Sequence, residues 1–328
     1  MKKYIPHLIT MTACLALAVL FGTAFGSTHL SFSEVWQGVL GKDELFSVIV
    51  RNLRLPRVFA ALLAGVGLSV SGVLLQSVTG NPLAAPNIIG VNAGAGFATI
   101  LMLTLFSGAT LFAPLFAFAG AFVTTLIIVF TANRIGASSS TVILAGIAFS
   151  AILNAGISFL SLLDSDVLTA YNAFSIGGLR GVTANQLYLP AFIITAGLTF
   201  SLLISRHIRL LSLGDKMAAS LGVRVRAIRF FALLLASASA AAVVSFAGLL
   251  GFVGLVVPHI ARRIVGTRTS ILLIASSLIG ASLVIFADLF GRILLAPTEI
   301  PVGIIMALIG APFFFILLIK RRNTYAEM

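Results

Sequence analysis

Ten apolar runs constrain this sequence more than any other feature. They cover approximately residues 6–26, 58–78, 88–106, 112–131, 141–163, 187–205, 228–249, 252–266, 270–290 and 302–319, and most of the breaks between them are short. A helix needs about 20 apolar residues to cross the hydrocarbon core of a bilayer. Inside that core only helices and closed barrels satisfy their own backbone. The runs therefore predict an all-α polytopic membrane protein with ten transmembrane helices, folded as a single domain over residues 1–328. Between Arg229 and Arg262 there are 32 residues, too many for one span and barely enough for two at about 1.5 Å per residue. The glycine-rich GLLGFVG at 248–254 predicts two short helices there.

The composition agrees with that reading. Of 328 residues, 59% are hydrophobic and 9% charged, with a mean hydropathy of +1.15, whereas a soluble domain carries about 25% charged residues. Ten spans use nearly all of the length and leave no room for a soluble domain. A net charge of +12 would suggest nucleic acid in a soluble protein. Here the basic residues stand in short loops and read as topology signals, with no nucleic-acid partner implied. The single cysteine, Cys14, falls in the first run, so neither an internal disulfide nor a thiolate metal cluster is available. The N-terminus has the basic start and apolar run of a signal peptide, with Ala24-Phe25-Gly26 resembling a cleavage site. Its apolar run is longer than a usual signal core, so an uncleaved first helix is expected.

Crossing the membrane at each run, from Lys2 and Lys3 inside, also places Arg134, Arg206, Arg209, Lys216, Arg224, Arg226, Arg229, Arg262, Arg263, Arg268, Lys320, Arg321 and Arg322 inside. Only Lys42, Arg51, Arg54, Arg57, Arg180 and Arg292 fall outside, together with Glu34, Asp43, Glu44, Asp164, Asp166 and Glu299. This bias predicts that both termini are cytoplasmic. RNLRLPR, residues 51–57, then faces outward against the basic-residue rule. Pro56 suits the first turn of a helix, where the macrodipole disfavours positive charge by roughly 0.3–1 kcal/mol. Two readings are open: the arginines hold lipid phosphates, or they serve a function.

Several chemistries lack their residues. The sequence contains no G-x-x-x-x-G-K-[ST]; its one Gly-Lys pair, Gly41-Lys42, is followed by Asp43, so no P-loop hydrolyses nucleotide in this chain. His7, His29, His207 and His259 are scattered and form no H-E-x-x-H motif, and no metal site is expected. Asp288 is the one acid within a span and stands four residues before Arg292. The two share a helical face and could pair, although a lone acid at depth could also relay protons.

Small residues recur at helical spacing in two runs: Ala61, Gly65, Ser69 and Gly72, and Ala145, Ala148, Ala151, Ala155 and Ser158. Such stripes let helices approach closely, and the second, with Asn154, could instead line a pore. Residues 79–96, TGNPLAAPNIIGVNAGAG, read as irregular backbone at the inner membrane edge, tolerable only when buried in protein. In the long loop at 206–229, Asp215 to Leu221 reads as a short helix between Gly214 and Gly222. It could lie on anionic lipid or dock a cytoplasmic partner.

Six stretches taken together resemble the FecCD-type permease subunits of ABC importers for iron-siderophores, haem and cobalamin. They are LRLPR (53–57), SGVLLQSVTGNPLAAPNIIGVNAGAG (71–96), LLSLGDKMAASLGV (210–223), GFVGLVVPHIARRIVG (251–266), ADLFGR (287–292) and EIPVGIIMALIGAPFFFILL (299–318). The resemblance implies a type II ABC importer permease fold and an import function, with a metal chelate, foremost a ferric siderophore, as substrate. It also implies a second permease subunit, two cytoplasmic P-loop ATPases that bind the ATP and magnesium, an extracytoplasmic substrate-binding protein, and a place in the inner membrane of a bacterium. No cofactor is implied in this chain. By the same resemblance, residues 213–222 form a coupling helix for the ATPase, with Gly214, Asp215, Ala218, Leu221 and Gly222 at matching positions. Lys216 stands where the family carries an acid. Arg54, Arg57 and Arg292 match the outer arginines that receive carboxylates of the binding protein, whereas Arg51 and Arg180 match none. Helices five and ten would line the path, which makes Asn154 and Met306 lining candidates.

Overall fold

The computed structural model describes the backbone of residues 4–26, 28–106, 110–135 and 139–326, and the side chains of these except 132–135, 139–140, 318 and 320–326. Six basic residues of the expected inner set, Lys2, Lys3, Arg134, Lys320, Arg321 and Arg322, have side chains outside that description. Along the chain run α1 (Ile5–Ala24), α2 (Phe32–Leu40), α3 (Glu44–Ser47), α4 (Leu55–Thr79), α5 (Val91–Leu105), α6 (Ala113–Ile135), α7 (Ser139–Ser161) and α8 (Ser165–Ile176). There follow α9 (Ala184–Leu203), α10 (Ser205–Leu211), α11 (Asp215–Ser220), α12 (Val225–Ala247), α13 (Val253–Val265), α14 (Thr269–Ile293) and α15 (Val302–Ala326). No strand occurs among the described residues.

Each apolar run of the sequence coincides with one helix. Among the described residues, seven helical stretches are long and apolar enough to cross a membrane: α1, the continuous Glu44–Thr79, α6, α7, α9, α12 and α14. Val91–Leu105 and Val302–Leu317 are shorter apolar helices, and α13 spans 13 residues. The protein is a multi-pass membrane protein whose regular secondary structure among the described residues is helical.

α4 is the central element, with 83% of its apolar window buried inside the chain. The stripe read from the sequence is what permits this. A Cβ added at Gly65 would stand 2.2 Å from the carbonyl oxygen of Gly280 on α14, and one at Gly72 would stand 2.0 Å from that of Gly254 on α13. Ala61 and Ser69 on the same stripe are fully buried. Apolar lipid gives helices no hydrophobic reason to associate, so backbone approach of this kind supplies the contact energy. On the other flank, Gly67 accommodates Val243 of α12 and Ile194 of α9. The second stripe behaves differently: Ala145 is half-buried against the core, whereas Ala148, Ala151, Asn154, Ala155 and Ser158 on α7 are exposed.

Two turns differ from expectation. Pro56 stands in the first turn of α4, as expected, but that turn is no free start: Leu55 N–H bonds the carbonyl of Val50 at the end of a π-helical segment, Val48–Arg54, that joins α3 to α4. Proline lacks an N–H and its ring crowds the carbonyl four residues back. A wider i→i+5 turn absorbs both defects without breaking the helix. Arg54 therefore does not sit at a free helix N-terminus, and the macrodipole penalty does not apply to it. α12 starts ahead of Arg229, at Val225, and runs for 23 residues, so only α13 is short. The chain reverses between them through Gly248 (φ 67) and Phe252 (φ 64). Residues 80–85 are irregular, as expected, and lead into a 3-10 turn, Pro86–Ile89.

Candidate functional site

At the end of the bundle where α4 begins, a cleft of about 580 Å³ opens between the α1–α2 link, the π segment, the 177–183 turn and the loop before α15. Arg54, Arg57, Arg180 and Arg292 line it, with Glu299 as the one carboxylate among the described lining residues. Distant parts of the sequence thus place four of the six basic residues expected on the outer side in one cleft.

Arg57 forms the centre of the cluster. Its guanidinium grips Asp288 of α14 through Nε and Nη2 at 2.9–3.0 Å, and its Nη1 donates to Glu299 at 2.8 Å. Arg292 Nε lies 3.1 Å from the same Asp288 carboxylate, an ion pair without hydrogen-bond alignment. The i, i+4 pair read from the sequence is therefore present, but Arg57 is the stronger partner. Asp288 is 2% exposed and held between two arginines. Neither Arg57 as its partner nor Glu299 was legible from spacing, because both contacts join elements more than 200 residues apart.

The other arginines hold backbone. Arg54, 6% exposed, donates to the carbonyls of Thr23, Ala24 and Thr28. Arg292, 3% exposed, donates to those of Gly22 and Phe25. Together they satisfy the carbonyls that the end of α1 leaves without helical partners. Arg51 donates twice to Val39 on the outer helix α2, which accounts for it as a structural clamp. Arg180 is exposed between buried Leu179 and Val182. Its turn is fixed by Gly178 N–H on the Ala247 carbonyl at 2.9 Å and by Gly303 N–H on that of Gly177 at 3.2 Å.

At the other end of the bundle, α11 occupies the stretch expected to form a short helix. Gly214 (φ 95) and Gly222 (φ 80) frame it in backbone conformations that favour glycine. Asp215 accepts a 2.6 Å ion pair from Arg229 on α12. Leu213, Met217 and Leu221 are exposed, whereas Ala218 is fully buried. Ala218, one of the coupling positions implied by the resemblance, faces inward and seats α11 on the chain, its carbonyl accepting from Val223 N–H. Of the two lining candidates, Asn154 is exposed on α7. Met306 is fully buried within the chain, on a face of α15 that Gly303 and Gly310 draw against Ile176 and Phe252. Ile304, Leu308 and Ile309 form its exposed face instead.

Comparison with known proteins agrees with this architecture. The model of the FecCD transport family matches residues 14–320. A probable siderophore transport system permease protein of Bacillus subtilis (strain 168) is 39% identical over 334 residues, covering 98% of this chain and 96% of that protein. The hemin transport system permease protein of Yersinia pestis is 35% identical over 326 residues, covering 97% of each. A solved structure described as an inward-facing metal-chelate type ABC transporter superposes with a TM-score of 0.86 at 30% identity, covering 97% of this chain and 100% of that one. With the family model matched almost end to end, this chain belongs to the FecCD transport family.

Proposed function

We propose that the protein is the permease subunit of a binding-protein-dependent ABC importer that carries a ferric siderophore into the cytoplasm. The observation that carries this reading is the full-length likeness to permeases named for siderophore and hemin transport. The two specialised ends of the bundle support it: a basic cleft at one and an exposed apolar helix at the other. In this reading ten helices cross the cytoplasmic membrane of a bacterium and both termini are cytoplasmic. The exposed small-residue face of α7, with Asn154, meets a second permease subunit across the path, and two P-loop ATPases bind ATP and magnesium and hydrolyse the nucleotide.

The docking set is Arg54, Arg57 and Arg292, with Arg180 joining them. Guanidinium forks suit the carboxylates of a binding protein. Arg54 and Arg292 shape the rim by fastening the end of α1, while Arg57 and Arg180 present charge to the cleft. On the opposite face Leu213, Met217 and Leu221, framed by Gly214 and Gly222, enter the ATPase, with Asp215 holding α11 in place. Haem is the alternative substrate that a relative's name supports, and cobalamin follows from the family resemblance.

The test is uptake by the complete importer in proteoliposomes, comparing a ferric siderophore, haem and cobalamin. ATP-dependent and binding-protein-dependent accumulation of the ferric siderophore is expected. Uptake that proceeds without ATPase or binding protein would refute the import mechanism, and accumulation of haem or cobalamin alone would replace the substrate.

A further inference from the structure

We propose that a pocket between α4, α10, α13 and α14 is a phosphate-binding site, taking either the headgroup of an anionic lipid or inorganic phosphate. The pocket measures about 370 Å³, inside the range of about 300–1,000 Å³ usual for small-ligand sites. It lies at the end of the bundle opposite the arginine cleft, where α4 ends at Thr79, α13 ends at Val265 and α14 begins at Thr269. That is headgroup depth for helices that cross a bilayer.

Its charge is unbalanced. Arg262, half-buried in the last turn of α13, lines the pocket and donates through Nη2 to the neutral amide oxygen of Gln76 at 3.0 Å. No carboxylate pairs with it among the described residues, and none lines the pocket. Gln76 is itself buried and held by donating to the Gly254 carbonyl at 3.3 Å, so it fixes the guanidinium while leaving the remaining N–H groups available. A cation removed from water without a counter-charge is costly, and a bound anion offsets that cost.

Two further groups converge on the same space. Thr269, 4% exposed, lines the pocket, and its hydroxyl makes no hydrogen bond among the described residues. It is the first residue of α14, in which the first helical bond runs from Leu272 N–H to the Arg268 carbonyl. The N–H groups of residues 269–271 precede that bond, and such a helix start attracts anions. A guanidinium fork, a hydroxyl on the pocket wall and a helix N-terminus arrayed around one space fit a tetrahedral oxyanion.

The test uses the full chain in nanodiscs, in wild type and in the variants Arg262→Gln and Thr269→Val. One arm titrates inorganic phosphate calorimetrically in phosphatidylcholine discs. The other counts, by native mass spectrometry, the phosphatidylglycerol retained from mixed discs. One saturable site is expected, in the first arm if free phosphate is the ligand and in the second if it is lipid. Each variant should weaken it about tenfold or more, as expected for a charge-assisted hydrogen bond removed. Thr269→Val keeps side-chain shape and carries the test if Arg262→Gln does not fold. Absence of a site in both arms, or binding that neither variant changes, overturns the proposal. Unchanged binding with loss of the ATPase from the Arg262→Gln complex would overturn it in favour of a carboxylate on that partner.

Discussion

Arg57 and Asp288, 231 positions apart in the chain, lock the start of α4 to the end of α14 through a two-pronged ion pair with N–O distances of 2.9–3.0 Å. Removing one partner of a buried pair leaves an uncompensated charge, at about 3–5 kcal/mol, whereas replacing both with apolar groups is often neutral. Arg57→Met should therefore lower the unfolding free energy of the full chain in detergent by about that amount, less whatever Arg292 recovers. The double variant Arg57→Met/Asp288→Leu should regain only part of it, because Arg292 then loses its own ion-pair partner. Equal losses in single and double variants would show that the pair holds nothing together beyond its individual side chains.

The rim charges should act on docking with opposite signs. Glu299 occupies the Nη1 side of Arg57 at the site where an incoming carboxylate would bind. Glu299→Gln should thus raise, and Arg180→Glu lower, the association rate of the loaded binding protein, each by about tenfold at low salt, with the contrast shrinking as salt increases. Because Arg180 is exposed, its reversal should leave thermal stability unchanged. Arg54→Glu should not share that property: it would set a carboxylate against three carbonyls and unfold the rim. Surface plasmon resonance on the reconstituted complex measures the rates, and an Arg180→Glu rate equal to wild type would remove Arg180 from the docking surface.

Much of the fold could be read from the sequence because membrane burial imposes a simple rule. Ten apolar runs located ten helices, and the basic-residue count placed Arg54, Arg57, Arg180 and Arg292 on one side, where the structure gathers them in one cleft. What could not be read was which side chains those arginines would meet. The partners of Arg54 are carbonyls at the end of α1, groups that every residue carries and no motif marks. Glu299 reaches Arg57 only because the loop after α14 returns beside the start of α4. The glycines framing α11 likewise gave its position but not its rotation, which buries Ala218 and exposes Met217 and Leu221.

Close helix contact at Gly72 gives a prediction with a built-in control. A Cβ there would stand 2.0 Å from the Gly254 carbonyl oxygen, whereas one at Gly251 meets nothing within 4 Å. Gly72→Ala should cost about 1–3 kcal/mol, as overpacking of a tight core does. Gly251→Ala should stay within about 0.5 kcal/mol, the range of substitutions that meet no special feature. Thermal midpoints of the two variants in the same detergent decide the matter, and matched midpoints would mean that α4 and α13 separate without cost.

The rotation of α11 separates its residues into two classes, and the separation can be measured. Met217 and Leu221 are exposed while Ala218 is fully buried. If the exposed pair enters the ATPase, Met217→Asp and Leu221→Asp should reduce co-purifying ATPase and abolish stimulated hydrolysis, yet leave the thermal midpoint of the isolated permease unchanged. Ala218→Asp should do the reverse at the first step: an acid forced into a dry contact costs several kcal/mol, so the permease itself should lose stability, and ATPase binding should fall only as a consequence. Asp215→Asn breaks a half-exposed ion pair with Arg229 and should cost no more than about 1 kcal/mol, which makes it a measure of how firmly α11 must be held. Full hydrolysis and full ATPase retention in Met217→Asp and Leu221→Asp would leave α11 a helix at the membrane surface with no partner to drive.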